Sequence, residues 1–155
     1  MSTSTTARRL AAVALTTAAL GAVAALPASA AGHPAPQHRP DVRISRVQYD
    51  SPGRDDRSNR SLNGEWVELT NTTRGAVNLD GWTLSDRDRH TYTFHHYRLA
   101  ARATVRIHTG IGRDTRTDLY QDRRAYVWNN DSDTATLRNQ RGGTIDTVSW
   151  GRHRG

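Results

Sequence analysis

Gly64-Glu65-Trp66-Val67-Glu68-Leu69-Thr70-Asn71 alternates apolar and polar residues with a period of two. Successive side chains of an extended strand point to opposite faces, so Val67 and Leu69 share one face while Trp66 and Glu68 share the other. Downstream, Val77-Asn78-Leu79-Asp80-Gly81-Trp82-Thr83-Leu84-Ser85-Asp86 repeats the pattern around a turn. Asp80-Gly81 suits a backbone of positive φ, and Trp82 and Leu84 resume the alternation beyond it. Across the charged connection Ser85 to His90, Tyr92 and Phe94 answer Trp82 and Leu84 as the second arm of a hairpin.

The same period extends outward in both directions. Val42, Ile44, Val47 and Tyr49 alternate with one phase slip, which predicts a bulge. Ser51-Pro52-Gly53 interrupts that run, and the polar stretch to Asn63 reads as a long loop. On the other side Val105 and Ile107 form a strand ended by Thr109-Gly110, followed by a polar loop to about Arg123. Tyr126 and Trp128, or Val127 on the opposite face, predict another strand. Ala135 and Leu137 lead through Asn139-Gln140-Arg141-Gly142-Gly143 into Ile145, Val148 and Trp150, a final hairpin. No stretch carries a capped helical stripe. Short strands punctuated by Gly, Asn and Asp predict an all-β sandwich or barrel, and alternation alone does not choose between them. The expected core is Trp66, Val67, Leu69, Leu79, Trp82, Leu84, Phe94, Ile107, Trp128 and Leu137, with Trp66 and Trp82 anchoring the contact between sheets.

Four segments carry a resemblance to a known family. Gly64–Asn71 is similar to the strand E-[WY]-[VI]-E-[LI]-x-N of the lamin-tail domain, and Val77–Asp86 to its turn v-x-L-x-G-W-x-L-x-D. Val105-Arg106-Ile107-His108-Thr109-Gly110 follows in the family's order. Val127-Trp128-Asn129-Asn130-Asp131-Ser132-Asp133-Thr134-Ala135-Thr136-Leu137-Arg138 resembles the segment W-N-N-x-G-D-x-A-x-L-x-D of the exported bacterial branch. Ser132 stands where that branch often has Gly, and Trp150 where Tyr is commoner. The resemblance implies an immunoglobulin-like antiparallel β-sandwich over residues 41–151. It also implies a binding or structural module rather than an enzyme.

The first thirty residues read differently. Arg8 and Arg9 precede a small apolar run from Leu10 to Leu26, and Ala28-Ser29-Ala30 forms an A-x-A site, the order of a secretory signal with cleavage after Ala30. Thr16, Thr17 and Gly21 interrupt the run and Pro27 follows it, which argues against a permanent span. Residues 31–40, with three prolines, read as an extended spacer, and residues 152–155 as a frayed tail. The expected product is secreted.

The chain of 155 residues carries 22 basic and 15 acidic side chains, net +7, and every basic one is Arg. Loss of Arg8 and Arg9 with the signal leaves about +5. Arg98, Arg102 and Arg106, and separately Arg123 and Arg124 beside Tyr126, are candidates for a polyanion-binding patch. There is no cysteine, which removes thiol catalysis, Cys-based zinc sites and disulfides, and leaves packing to hold the domain.

The remaining constellations have structural alternatives. Asp86, Asp88 and His90 would share a face if extended, but Arg87 and Arg89 lie between them. Asn129-Asn130-Asp131-Ser132-Asp133 is rich in side-chain oxygen and makes Asp131 and Asp133 calcium candidates, though the spacing is not that of an EF-hand and the reading as turn residues is preferred. Glu65 and Glu68 point to opposite faces of a strand and cannot share a substrate, so both read as surface charges, with one able to turn partly inward to an Arg. His95 and His96 diverge for the same reason, and His108 reads as a surface residue. No G-x-S-x-G, H-E-x-x-H or P-loop is present, and no cofactor is expected. The expected partner is a protein or a cell-envelope polymer, with a polyanion as the alternative and a small hydrolase as the residual reading.

Overall fold

The computed structural model describes residues 40–151. The signal, nearly all of the spacer and the tail lie outside the described residues. In chain order the elements are β1 (Val42–Gln48), α1 (Asn59–Gly64), β2 (Trp66–Asn71), β3 (Val77–Asn78), β4 (Thr83–Ser85), β5 (Thr91–Thr93), β6 (Arg98–Leu99), β7 (Thr104–His108), β8 (Asp118–Tyr120), β9 (Ser132–Arg138) and β10 (Thr144–Gly151). Two four-stranded sheets, ordered β1-β2-β7-β8 and β10-β9-β4-β5, pack face to face, and β3 and β6 form a separate pair. This is an immunoglobulin-like β-sandwich. Its pairs are antiparallel except β7 and β8, which run parallel with Ile107 opposite Leu119.

The core follows from the alternation. Val67, Leu69, Leu79, Trp82, Leu84, Phe94, Ile107, Trp128 and Leu137 are all buried between the layers. Trp66 is the exception among the expected core residues. It is half-buried on the outer face of β2, because a period of two that sends Val67 and Leu69 inward must send Trp66 outward. Large apolar bulk does not override strand phase, so Trp66 does not anchor the contact between sheets.

The slip in the first strand is a register shift between Ile44 and Arg46, and β10 has a matching shift between Thr144 and Asp146. These edge strands from different sheets meet along a seam, where Tyr49 stacks on Trp150 at 5.0 Å. The turn at Asp80-Gly81 has Gly81 at φ 74°, and the N–H of Gly81 donates to the Phe94 carbonyl at 2.9 Å. Asn71, fully buried, ties the next connection: its Nδ2 donates to the carbonyls of Gly75, Leu99 and Ala100, and its Oδ1 accepts from Thr73.

Three local expectations are corrected. The loop after Pro52 contains the short helix α1, capped where Ser58 Oγ accepts the N–H of Ser61 at 3.2 Å. With six residues and one buried apolar side chain, Leu62, α1 is too short to show periodicity. The polar loop after Gly110 contains β8, whose only buried residue is Leu119. Residues 126–128 form no strand, although Val127 and Trp128 are buried. The N–H of Val127 is satisfied by the Glu65 side chain at 2.9 Å instead of by a neighbouring strand.

Candidate functional site

The strand register assembles a patterned surface on the outer face of the first sheet. Gln48, Trp66, His108 and Tyr120 stand in one cross-strand row, and Arg46, Glu68, Arg106 and Asp118 in the next. In the charged row, Arg106 Nε donates to Glu68 Oε2 at 3.1 Å, while its guanidinium lies 4.2 Å from the centroid of the Trp66 ring. A cation held over an indole and against a carboxylate is fixed by both contacts. In the aromatic row, His108 stacks on Tyr120 at 5.0 Å. His108 is not the surface residue expected from alternation: its side chain is 13% exposed, with Nδ1 2.9 Å from the Asn63 carbonyl and Nε2 2.9 Å from Asp118 Oδ1. The neighbouring strand and the end of α1 cover the side chain that β7 alone would leave in solvent. Hydrogen bonds from Thr117 and His108 hold the Asp118 carboxyl below its ordinary 3.8.

Tyr120 also borders a cleft of about 390 Å³ on the side of the sandwich where β5 and β8 are the outermost strands. Tyr92 and Tyr97 enter it from the second sheet and the connection after it, and Asp114 and Asp122 from the segments flanking β8. Burial, followed by the charges of Asp114 and Asp122, pushes the Tyr92 phenol up to about 12. Burial and Asp118 push Tyr97 up to about 12 as well, and its Oη donates to the Arg116 carbonyl at 2.6 Å. None of these residues was singled out from the sequence as a site. Residues 92–97 and 114–122 are separate there, and only the packing of two sheets brings them together.

Glu65 is the least expected feature. It is 1% exposed and pairs with no Arg among the described residues, so neither the surface reading nor an inward ion pair describes it. Its Oε1 accepts from Thr109 Oγ1 at 2.6 Å and from the N–H of Val127 at 2.9 Å, while Oε2 has no partner among the described residues. Burial raises the carboxyl from 4.5 to about 7, against the opposing effect of those hydrogen bonds. Glu68 lies on the opposite face, so the two carboxylates do not converge.

The other candidates have structural partners. Asp133 is buried, and its two oxygens accept from the backbone N–H groups of Arg87, Asn129 and Thr134, whereas Asp131 is exposed. Asp86 accepts from the His90 backbone and meets His90 Nδ1 at 2.6 Å, closing the β4–β5 connection. Among the described residues no group of three His, Asp or Glu side chains is placed to hold a metal ion. The five arginines lie on different parts of the fold. Arg98 is on β6, Arg102 in the turn before β7, and Arg106 on the outer face of the first sheet. Arg123 is spent on Gln121 and the Thr91 carbonyl, and Arg124 is exposed beyond it.

Two packed sheets with an uncovered aromatic and charged face define an immunoglobulin-like module of the β-sandwich class. Residues 35–152 match the Lamin Tail Domain family, and the chain belongs to that family. Comparison with curated proteins gave no match. Among the described residues, no helix is long and apolar enough to cross a membrane.

Proposed function

We propose that the chain acts outside the cell as a non-catalytic binding module, with a protein or a cell-envelope polymer as its partner. The observation that carries this reading is the outer face of β1-β2-β7-β8, where Trp66, His108 and Tyr120 form a half-buried row and Arg106, from the charged row beside it, lies over the Trp66 ring. Aromatic and Arg side chains held rigidly at a surface are the residues that dominate binding interfaces. The signal-like start of the sequence supports export. The dispersal of Arg98, Arg102, Arg106, Arg123 and Arg124 gives the polyanion alternative less support, since counterion release requires cations gathered along one track.

Two measurements test the reading. Expression of the full chain in a bacterial host, with N-terminal sequencing of protein in the medium, is expected to give Ala31 as the first residue; a wholly intracellular, uncleaved chain overturns the export step. The exported protein is expected to be retained on purified envelope material at both low and high salt, and Trp66→Ala to abolish that retention while leaving the fold intact. Retention on heparin that collapses with salt, without envelope retention, would transfer support to the polyanion alternative.

A further inference from the structure

The cleft between β5 and β8 differs in charge from the rest of this basic chain. Three phenol rings, Tyr92, Tyr97 and Tyr120, the last stacked on His108, line it together with Asp114, Asp122 and the exposed His95, and no Arg is among the lining residues. The ion pairs among the described residues join His90 to Asp86, Arg106 to Glu68 and His108 to Asp118, so neither cleft carboxylate is used in one. That is a notable omission in a chain with 22 arginines. Arg123 comes to the rim, but its Nη2 donates to the Thr91 carbonyl at 3.2 Å and its Nε to Gln121 Oε1 at 3.3 Å.

We infer that this cleft receives the cationic end of an Arg or Lys side chain presented by a partner protein. The inference rests on the binding-module reading and names the chemistry of one contact within it. A phenol face attracts a cation through its quadrupole, and a carboxylate beside the ring supplies the acceptor that the guanidinium or ammonium needs. The walls are already braced. Asp114 Oδ1 accepts the backbone N–H of Tyr120 at 2.9 Å, which fixes that carboxylate to the main chain of β8. The backbone of Asp122 is anchored through its N–H to the Gly110 carbonyl at 3.1 Å, leaving the side chain exposed toward an incoming group. Tyr92 is set edge-on against buried Phe94 at 5.0 Å. A neutral sugar could stack on the same rings, but it would draw nothing from the charge of the two carboxylates, and that charge is the feature that distinguishes this cleft.

The test uses a short arginine peptide and its citrulline counterpart, which keeps the shape and removes the charge, titrated into the ¹⁵N-labelled exported protein. The arginine peptide is expected to shift the amides of Tyr92, Asp114, Tyr120 and Asp122, with no comparable shifts from the citrulline peptide. Asp122→Asn is the decisive variant, because Asn accepts the positive φ of 54° at that position, and it is expected to weaken arginine binding about fivefold to tenfold with an unchanged fold spectrum. Equal binding of the citrulline peptide, an unaffected Asp122→Asn, or binding of a chitin oligosaccharide that ignores this substitution would each overturn the inference. A concentration-dependent dimer dissolved by Asp122→Asn would overturn the separate partner and assign the cleft to a second copy of the chain. Envelope retention lost with Trp66→Ala but indifferent to Asp122→Asn would leave the module reading standing without this contact. Arginine binding without any envelope retention would do the reverse.

Discussion

The backbone N–H of Ile44 donates to Oδ2 of Asp146 at 2.8 Å, joining the edge strands of two different sheets at the point where each is bulged. An unpaired edge strand is a template for another chain, and a bulge together with a side-chain acceptor blunts it. Asp146→Ala is expected to lower unfolding free energy by about 1–2 kcal/mol in urea denaturation, the loss of one charge-assisted bond to a partly buried N–H. The variant should also self-associate more readily in sedimentation experiments.

Glu65 should make stability fall as pH rises across a range where most proteins are insensitive. Its carboxyl titrates near 4.5 when unfolded and near 7 in the fold, so the folded state holds the proton more tightly. The stabilisation is complete below pH 4.5 and is lost by the time pH has risen through about 7. A shift of this size corresponds to about 3 kcal/mol. Glu65→Gln keeps an acceptor for Thr109 and Val127, so it is expected to flatten the profile between those limits. Asp118 contributes with the opposite sign, its share being lost only as pH falls below 3.8, so the two windows do not overlap. Urea midpoints measured at pH 4.5, 6 and 8 check this; a slope that survives Glu65→Gln refutes it.

Trp66 and Trp82 resemble each other in sequence context and should differ sharply in stability. Trp82→Ala opens a cavity between the layers and is expected to lose about 3–5 kcal/mol. Trp66→Ala removes an outer-face ring and its contact with Arg106, for which about 1 kcal/mol is expected. Thermal unfolding of both variants distinguishes them. Similar losses would mean that Trp66 carries core packing after all.

Asn71 is expected to tolerate no replacement that lacks its amide nitrogen. Three carbonyls converge on Nδ2 at 2.8–3.1 Å in a site without solvent exposure. Asn71→Asp sets a carboxylate against those oxygens, and a loss of about 3 kcal/mol or more is expected. Retention of wild-type stability by this variant in denaturant titrations would contradict the assigned role.

Much of the fold was legible because strand phase is local. The slip at Ile44, the Gly81 turn, the hairpin of β4 and β5 and the hairpin of β9 and β10 each follow from a few adjacent residues. The same local rule placed Trp66 opposite Val67 and Leu69; ranking it as core gave hydrophobic bulk more weight than phase. What escaped were elements whose stabilising partners are distant. α1 and β8 each bury a single apolar side chain, Leu62 and Leu119, and so leave no periodic trace. Val127 looked like a strand residue, yet its N–H finds an acceptor 62 positions away in Glu65.

By itself the sequence determined that the chain is all-β and which face of most strands turns inward, since these depend on nearest neighbours and on a period of two, while its resemblance to the lamin-tail domain implied the sandwich. Only the tertiary structure decided that Glu65 is buried, that Arg106 covers Trp66, and that tyrosines and carboxylates from opposite sheets share one cleft. Proton affinity and surface pattern depend on what lies across a few ångströms of space, and residues far apart along the chain supply it here.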